Sequence, residues 1–253
     1  MLKVIILGGG NVAFHLTNKL LQTGNIQVVQ IYNRSLESIK CFSSKTKITN
    51  NINKLLDADI YIISISDDFI ESISENIPFK NKLVVHTSGS VSIKEISNRN
   101  RKGVFYPLQT FSKERKVDFS NIPLCIEAEN NEDFNTLKKL AIEVSNNCFE
   151  VDSNQRKNLH IAAVFVNNFV NHLYHIGHSL CEENNVSFDV LKPLVLETAS
   201  KINTLKPNEA QTGPARRNDK NTIEKHVTLL PENLQEIYTL LTKSIQDTYG
   251  KKL

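Results

Sequence analysis

The chain has 253 residues, a length typical of two domains, and its content of 40% hydrophobic and 23% charged residues is ordinary for a globular protein. The formal net charge of +3 arises from scattered basic residues, which excludes the concentrated basic face of a nucleic-acid-binding protein. The four cysteines form no C-x-x-C pair, which excludes a disulfide framework and a zinc site. No apolar run reaches the length of a membrane span, which excludes a membrane protein. Both observations lead us to expect a cytoplasmic location.

Segments typical of strands and of helices alternate in the first half of the chain. Short β-rich apolar runs predict strands at 2–7, 26–35, 57–68, 82–90, 103–107, 122–128 and 148–151. Helices are predicted between several of them, at 35–44 and 92–100 among others. Such alternation indicates an α/β fold in which a parallel sheet is covered by helices on both faces.

The turn after the first strand carries the sequence GGGNVA. Gly8, Gly10 and Ala13 fit the pattern G-x-G-x-x-[G/A], which permits a tight turn, a close approach of the backbone to a pyrophosphate, and close packing of helix on strand. The next helix begins near Asn11 and Val12 and offers free N–H groups to phosphates. We interpret residues 1–152 as a Rossmann-type dinucleotide-binding domain; a plain glycine turn is the alternative.

The second strand ends at Asn33, 23 residues after Gly10, where NAD-binding domains usually carry an acidic residue for the ribose. Here Asn33, Arg34 and Ser35 follow one another with no carboxylate. Arg34 can pair with a 2′-phosphate, and the other two can add polar contacts. The sequence therefore predicts NADP(H) as cofactor, unless Arg34 is only a solvated loop charge.

Polar residues also follow the later strands, where ligands bind in open α/β folds. Ser64, Ser66 and Thr87 are predicted to face the cofactor, and Ser88 and Gln109 the substrate. The alternative is a serine-rich connection in which Ser90 or Ser92 caps a helix.

From residue 153 onward the strand signals stop, and an all-α domain is predicted over 153–253 for substrate binding and dimerisation. Ser153 can cap a first long helix that runs to about residue 183. At 100° per residue, His160, Asn167, Asn171 and His178 fall within about 20° of one line on that helix, and the apolar residues on its other sides predict that it is surrounded by protein.

We interpret this polar stripe as a substrate wall, with His160 as proton donor and Asn167 and Asn171 as orienting groups. The alternatives are side chains that bond to one another or line a wet subunit interface. A metal site is not expected, because His172, His175 and His178 spread over about 120° and no nearby carboxylate completes a ligand set.

The loop TGPARRND, residues 212–219, brings two guanidinium groups beside a helix start. Arg216 and Arg217 can clamp a carboxylate or phosphate of the substrate. The alternative is a surface loop with solvated charges.

The chain resembles a family of bacterial Rossmann-like NADP oxidoreductases whose C-terminal domain has unknown function, in the segments ILGGGNVAFHL, YNRS, HTSGS, YPLQTFS, HIAAVFVNNFVNHLY and TGPARRND. The resemblance spans nearly the whole chain. The chain is distantly similar to pyrroline-5-carboxylate reductase, deazaflavin-dependent NADP oxidoreductase and the 6-phosphogluconate dehydrogenase superfamily. These relatives imply an N-terminal Rossmann domain, a helical domain that often forms the dimer, and an active site between the two.

One feature departs from that superfamily. Its β-hydroxyacid dehydrogenases place a catalytic lysine one turn before an asparagine, whereas Ala163 and Val164 precede Asn167 and Asn168 here. His160, one turn further back, is the predicted substitute. The predicted function is hydride transfer between NADP(H) and a small carbonyl, imine or hydroxy-acid substrate, in a homodimer. The alternatives are a non-catalytic NADP(H) sensor and a scaffold that binds no nucleotide.

Overall fold

The apolar run at the start of the chain forms a strand inside an eight-stranded sheet of order β3-β2-β1-β4-β5-β6-β7-β8. The structure is a computed structural model that describes residues 1–249. The strands are β1 (Leu2–Leu7), β2 (Ile26–Tyr32), β3 (Lys47–Thr49), β4 (Ile60–Ile63), β5 (Leu83–His86), β6 (Arg101–Pro107), β7 (Leu124–Ala128) and β8 (Cys148–Glu150). The short edge strand β3 was not predicted, and the others lie within or overlap the predicted runs.

The sheet is parallel except where β7 pairs antiparallel with β6. Both of its faces are covered, as β1 illustrates. Val4 and Ile6 pack in one hydrophobic core, Ile5 and Leu7 pack in the other, and all four are fully buried. Continuous apolar runs are typical of strands that are buried on both faces. The predicted α/β class, with a helical region after it, is confirmed.

Helices connect and follow these strands: α1 (Asn11–Leu20), α2 (Ile70–Glu75), α3 (Asn131–Val144), α4 (Ser153–Ala163), a π-helix (Val164–Phe169) and α5 (Val170–Glu183). The predictions of helices at 35–44 and 92–100 are wrong, because only 3₁₀ turns form there, at Glu37–Phe42 and Ile93–Glu95. In the second, Ser92 accepts a hydrogen bond from the N–H of Lys94, a local bond that competes with helix formation. Further 3₁₀ turns lie at Ile52–Lys54, Asp67–Phe69 and Phe188–Val190.

Helix α4 is capped by Asp152 and not, as predicted, by Ser153. The Asp152 carboxylate accepts from the N–H groups of Asn154 and Gln155, each at 2.8 Å, and the Gln155 side chain accepts from the Asp152 N–H. This reciprocal pair is a capping box. Ser153 is thereby free to donate to Glu127 on β7.

The chain divides into two compact units, residues 1–172 and residues 173 onward. The division falls inside α5, whereas the predicted domain boundary at residue 152 coincides with the start of α4. All regular structure of the second unit that the structure describes is helical: the rest of α5, α6 (Lys192–Lys201), α7 (Pro207–Ala210), α8 (Pro214–Arg217), α9 (Lys220–Leu229) and α10 (Glu232–Tyr249). Within residues 1–249, no helix has the length and apolar character required to cross a membrane.

Candidate active site

The turn between β1 and α1 consists of glycines, so its backbone carries no side chains. Gly8 adopts a φ of +144°, and a Cβ there would lie 1.9 Å from the carbonyl oxygen of Ser64, so the position requires glycine. No described atom lies within 4 Å of the Cβ position of Gly10. Helix α1 begins at Asn11 without a side-chain cap among the described residues, while Ala13 is buried in the core. The turn can therefore offer helix N–H groups to a phosphate.

A cavity of about 710 Å³ lies at the edge of the sheet where β1, β2, β4, β5 and β6 end. We call it the glycine-turn cavity. It brings together most of the residues predicted from the sequence: Gly10, Asn11, Val12, Asn33, Arg34, Ser64, Ser66, Thr87, Ser88, Gln109 and His160. Ser35 is not part of its lining, but the Ser35 carbonyl accepts a hydrogen bond of 2.9 Å from the Asn33 side chain.

Arg34 stands in this cavity with an aromatic partner. Its guanidinium carbon lies 5.0 Å from the centre of the Phe69 ring, a cation–π contact. Arg34 forms no ion pair with any carboxylate of residues 1–249. A guanidinium that stacks on a ring still has its in-plane N–H groups available to bind an anion.

A tyrosine and a histidine that both line the cavity are in contact with each other. The hydroxyl of Tyr106, on β6, lies 3.2 Å from Nδ1 of His160, on α4. A Cβ at Gly89 would lie 2.6 Å from that Nδ1 and 2.9 Å from Cζ of Tyr106, so a glycine leaves room for both rings. Burial raises the pKa of the Tyr106 phenol to about 12, so the phenol keeps its proton near neutral pH.

A buried ion pair fixes the helix that carries His160. The fully buried Arg156, one turn earlier on α4, forms an ion pair with Glu127 of β7 and donates to the carbonyl of Val91 at 2.5 Å. Arg156 also donates to Ser153 Oγ at 3.2 Å. A hydrogen-bonded buried charge pair is costly to break, because either partner alone is left as an uncompensated charge.

His86, the last residue of β5, lies beneath the Thr87–Gly89 turn. It is fully buried, and its Nδ1 accepts the N–H of Ser88 at 3.2 Å. Its Nε2 has no hydrogen-bond partner among the described residues. Burial, reinforced by the charge of Arg156, lowers the pKa of His86 to about 4, so its ring is neutral.

Hydroxyl groups around this turn bond to one another. Thr87 donates to Ser64 Oγ at 3.1 Å, and Ser90 donates to the Asp67 carboxylate. Ser88 Oγ accepts the N–H groups of Ser90 and of residue 91, both at 3.1 Å. Ser88 thus holds this turn while also lining the cavity, and Ser92 has the capping role that the sequence left open for Ser90 or Ser92.

The polar stripe of the long helix does not line one cavity. His160 lines the glycine-turn cavity, whereas Asn167 and Asn171 line a second cavity of about 530 Å³. Gln109 lines both. The sequence argument assumed 100° per residue throughout, but the π-helix Val164–Phe169 interrupts that periodicity between His160 and Asn171.

The prediction that protein surrounds this helix is also wrong for the single chain. Four of its apolar side chains are at least half exposed: Ile161, Phe165, Val166 and Phe169. Phe165 and Phe169 pack on each other edge to face, with ring centres 5.1 Å apart.

Arg216 and Arg217 belong to the C-terminal unit. Arg216 stacks 4.8 Å from the centre of the Tyr249 ring and donates to the Asn208 carbonyl at 3.4 Å. Their role as a substrate clamp stays a prediction. His178 of the same unit pairs with Glu182 at 3.3 Å. Among the residues that the structure describes, no three His, Cys, Asp or Glu side chains are grouped to hold a metal ion.

Two family descriptions match the chain. Residues 3–89 match "NADP oxidoreductase coenzyme F420-dependent", and residues 122–245 match a domain of unknown function, DUF2520. A crystal structure from Bacteroides fragilis, described as the "putative NADP oxidoreductase BF3122", is 39% identical and has a TM-score of 0.91, covering 97% of this chain and 98% of that one. The chain belongs to this family of NADP oxidoreductases.

More distant structures share the fold of this NADP oxidoreductase family member. An imine reductase from Myxococcus stipitatus in complex with NADP⁺ is 12% identical with a TM-score of 0.69, covering 98% of this chain and 96% of that one. A reductive aminase from Aspergillus terreus in complex with NADPH and ethyl levulinate is 13% identical with a TM-score of 0.71, covering 99% and 95%. Among curated proteins no match is found. The predicted family, enzyme class and NADP(H) cofactor are confirmed at the level of the family.

The site contains residues that the sequence analysis did not single out. Tyr106 and Phe69 both line the glycine-turn cavity, where they contact His160 and Arg34. Each lies just beyond or at the carboxyl end of a strand, which was the one available signal. These contacts join residues far apart in the chain, and no local pattern reveals them.

Proposed function

We propose that this NADP oxidoreductase family member reduces a small carbonyl or imine with NADPH, or runs the reverse reaction on the hydroxy or amino product. The observation that carries the proposal is the Tyr106–His160 pair in the same cavity as the glycine turn. Reduction of a C=O or C=N bond adds a hydride to carbon and a proton to oxygen or nitrogen. The glycine turn is the proposed site of the hydride donor NADPH, and His160 is the candidate proton donor.

The cavity fits a dinucleotide with a 2′-phosphate. The first-turn N–H groups of α1, from Asn11 and Val12, are proposed to bind the pyrophosphate beside Gly10. Arg34, which has no acidic partner among the described residues, is proposed to pair with the 2′-phosphate, with Asn33 at its side. Ser64, Ser66 and Thr87 remain proposed cofactor contacts. When bound, NADPH supplies the hydride.

His160 is proposed as the proton donor and Tyr106 as the residue that positions it. In its charged form His160 donates Nδ1–H to the Tyr106 oxygen and has Nε2–H for the substrate heteroatom. After the proton has left Nε2, the neutral ring keeps its Nδ1–H and the same bond to tyrosine. Tyr106 accepts throughout without losing its own proton, as its raised pKa requires.

The exposed apolar side chains of the long helix support a homodimer formed through the helical region. Contiguous apolar surface is typical of an interaction site, and Ile161, Phe165, Val166 and Phe169 supply it in the N-terminal unit. We propose that residues 153–253 form the domain that binds substrate and mediates dimerisation.

We also propose a cytoplasmic location. The four cysteines are free thiols, which favours a reducing compartment such as the cytoplasm.

The experiment that tests the function is NADPH oxidation by the full chain with a panel of small ketones, imines and oxo acids. Wild type should turn over at least one class, and His160→Ala should lower kcat about a hundredfold or more, within the usual contribution of an acid catalyst, while NADPH still binds. NADPH binding without turnover of any substrate would favour the sensor, and no binding at all would favour the scaffold.

A further inference from the structure

The second cavity, which we call the asparagine cavity, is polar almost throughout. Its volume is about 530 Å³, and Val117 is the one apolar side chain among the lining residues that the structure describes. Asn167, Asn168 and Asn171 form one wall, and Arg115 and Lys116 lie on another. Neither the family descriptions nor the proposed chemistry assigns this cavity a ligand.

The two cations have no internal counter-charge. Arg115 and Lys116 form no ion pair within residues 1–249. Asp118, the one carboxylate in the described lining, accepts from the N–H of Ser120 at 2.9 Å and from its hydroxyl at 2.7 Å. These bonds lower the pKa of Asp118 and occupy its oxygens within its own turn. Asp118 stays ionised near neutral pH, so two cations and one carboxylate leave the described lining with a net charge of +1.

The loop that carries the cations is held at several points. Phe111 and Phe119, at its two ends, are buried and stack with ring centres 5.8 Å apart. The carbonyl of Phe111 accepts from the Asn11 side chain, and His15 Nε2 bonds the Ser112 carbonyl, both at 2.8 Å. Lys113 reaches the Gly9 carbonyl at 2.9 Å. The loop is thus attached to the glycine turn, while the side chains of Arg115 and Lys116 are exposed.

The asparagine wall has an unusual backbone. Asn167 and Asn168 lie in the π-helix Val164–Phe169, a form that is rare and is frequently found at functional sites. Among described residues their amides share only one long bond, 3.5 Å from Asn167 Nδ2 to Asn168 Oδ1. Both residues are exposed, so most of their donors and acceptors are accessible to a ligand.

We propose that the asparagine cavity binds a carboxylate of the substrate, which makes the substrate an oxo or imino acid. A guanidinium binds a planar carboxylate through two parallel N–H bonds, and amide N–H groups complete the coordination. Gln109 lines both cavities, so the asparagine cavity adjoins the cavity that is proposed to hold the cofactor. That the acid is an oxo or imino acid rests on the proposed reductase function. That the cavity binds a carboxylate does not.

Binding is tested without turnover, by calorimetric titration of the full chain with succinate, dimethyl succinate and inorganic phosphate. Succinate should bind saturably, the ester should not, and Arg115→Gln should weaken succinate binding at least tenfold. Lys45→Gln, which removes the same charge from an exposed position outside both cavities, should change it less than twofold. Equal loss in both variants, or no binding of succinate, overturns the proposal. Phosphate binding tighter than succinate also overturns the carboxylate assignment.

Turnover gives the second test. For a 2-oxo acid and its amide, Arg115→Gln should raise KM for the acid at least tenfold, leave its kcat within twofold, and leave the amide unaffected. An unchanged KM for the acid overturns the proposal. If no substrate is reduced at all, the proposed reductase function fails, and the succinate titration still decides whether the cavity binds carboxylates.

Discussion

The hydroxyl of Tyr106 lies 3.2 Å from Nδ1 of His160, although 53 residues separate them in the chain. One comes from β6 and the other from α4, and Gly89 of the turn after β5 leaves room for both rings. Three elements of the fold therefore converge on one hydrogen bond in the glycine-turn cavity.

Replacing the phenol tests whether it positions the imidazole. Tyr106→Phe removes the oxygen that is proposed to accept from Nδ1–H, so kcat should fall about tenfold to a hundredfold because the donor ring loses its orientation. The dissociation constant for NADPH should stay within twofold. Steady-state kinetics and a fluorescence titration measure the two quantities, and an unchanged kcat would remove Tyr106 from the mechanism.

A methyl group at residue 89 should displace the rings of the Tyr106–His160 pair. In Gly89→Ala the new Cβ would lie 2.6 Å from His160 Nδ1, so the ring must move and kcat should fall about tenfold or more. Gly24→Ala is the matched control, since no described atom lies within 4 Å of its Cβ position. Equal activity of the two variants would show that the ring position is not critical.

Arg34 should set the preference between the two nicotinamide cofactors. Loss of a charge-assisted hydrogen bond costs about 1.5–3 kcal/mol, so Arg34→Gln should weaken NADPH binding roughly tenfold to a hundredfold while NADH binding changes little. The control is Arg99→Gln, because Arg99 donates to the Glu75 carbonyl outside the cavity. Parallel fluorescence titrations give the ratio, and equal losses for NADPH and NADH would contradict the 2′-phosphate assignment.

His86 should make the fold sensitive to mild acid. Its folded-state pKa, about 4, lies below the 6.5 of an unperturbed histidine side chain. Between these values the unfolded chain takes up a proton that the folded chain refuses, so the free energy of unfolding should fall by roughly 3 kcal/mol as the pH drops from 7 to 4.

The variant His86→Asn isolates this contribution. Asparagine keeps an acceptor for the Ser88 N–H but does not titrate, so its free energy of unfolding should depend less on pH over the same interval. Urea unfolding at several pH values measures the difference between wild type and variant. Parallel curves would mean that another group dominates the acid sensitivity.

The apolar helix face should determine the oligomeric state. Phe165 is 62% exposed, and Phe165→Glu should convert the proposed homodimer to monomers in sedimentation velocity experiments. Ile142→Glu is the control, since Ile142 is 61% exposed on α3, away from that face. A monomeric wild type, or dissociation by both variants, would contradict the proposal.

Local patterns predicted several residues that line the glycine-turn cavity, while their roles stay predictions. Gly10 and Arg34 lie just after β1 and β2, where a parallel fold places ligand contacts, so chain order alone indicated their position. The Tyr106–His160 contact could not be predicted, because it depends on how α4 lies against the sheet. The prediction that His160 and Asn171 lie on one polar stripe was wrong because no residue pattern predicted the π-helix between them. Phe165 was expected to be buried, because an apolar residue looks the same in a core and in an interface.

The ion pair between Arg156 and Glu127 links the position of the Tyr106–His160 pair to the stability of the sheet. It joins α4 to β7 one helical turn before His160, so we expect the histidine to keep its position as long as the sheet is intact. In increasing denaturant, turnover should then disappear in the same transition as secondary structure, with no earlier inactivation step. Backbone amides in α4 near Arg156 should exchange with solvent as slowly as those of β7.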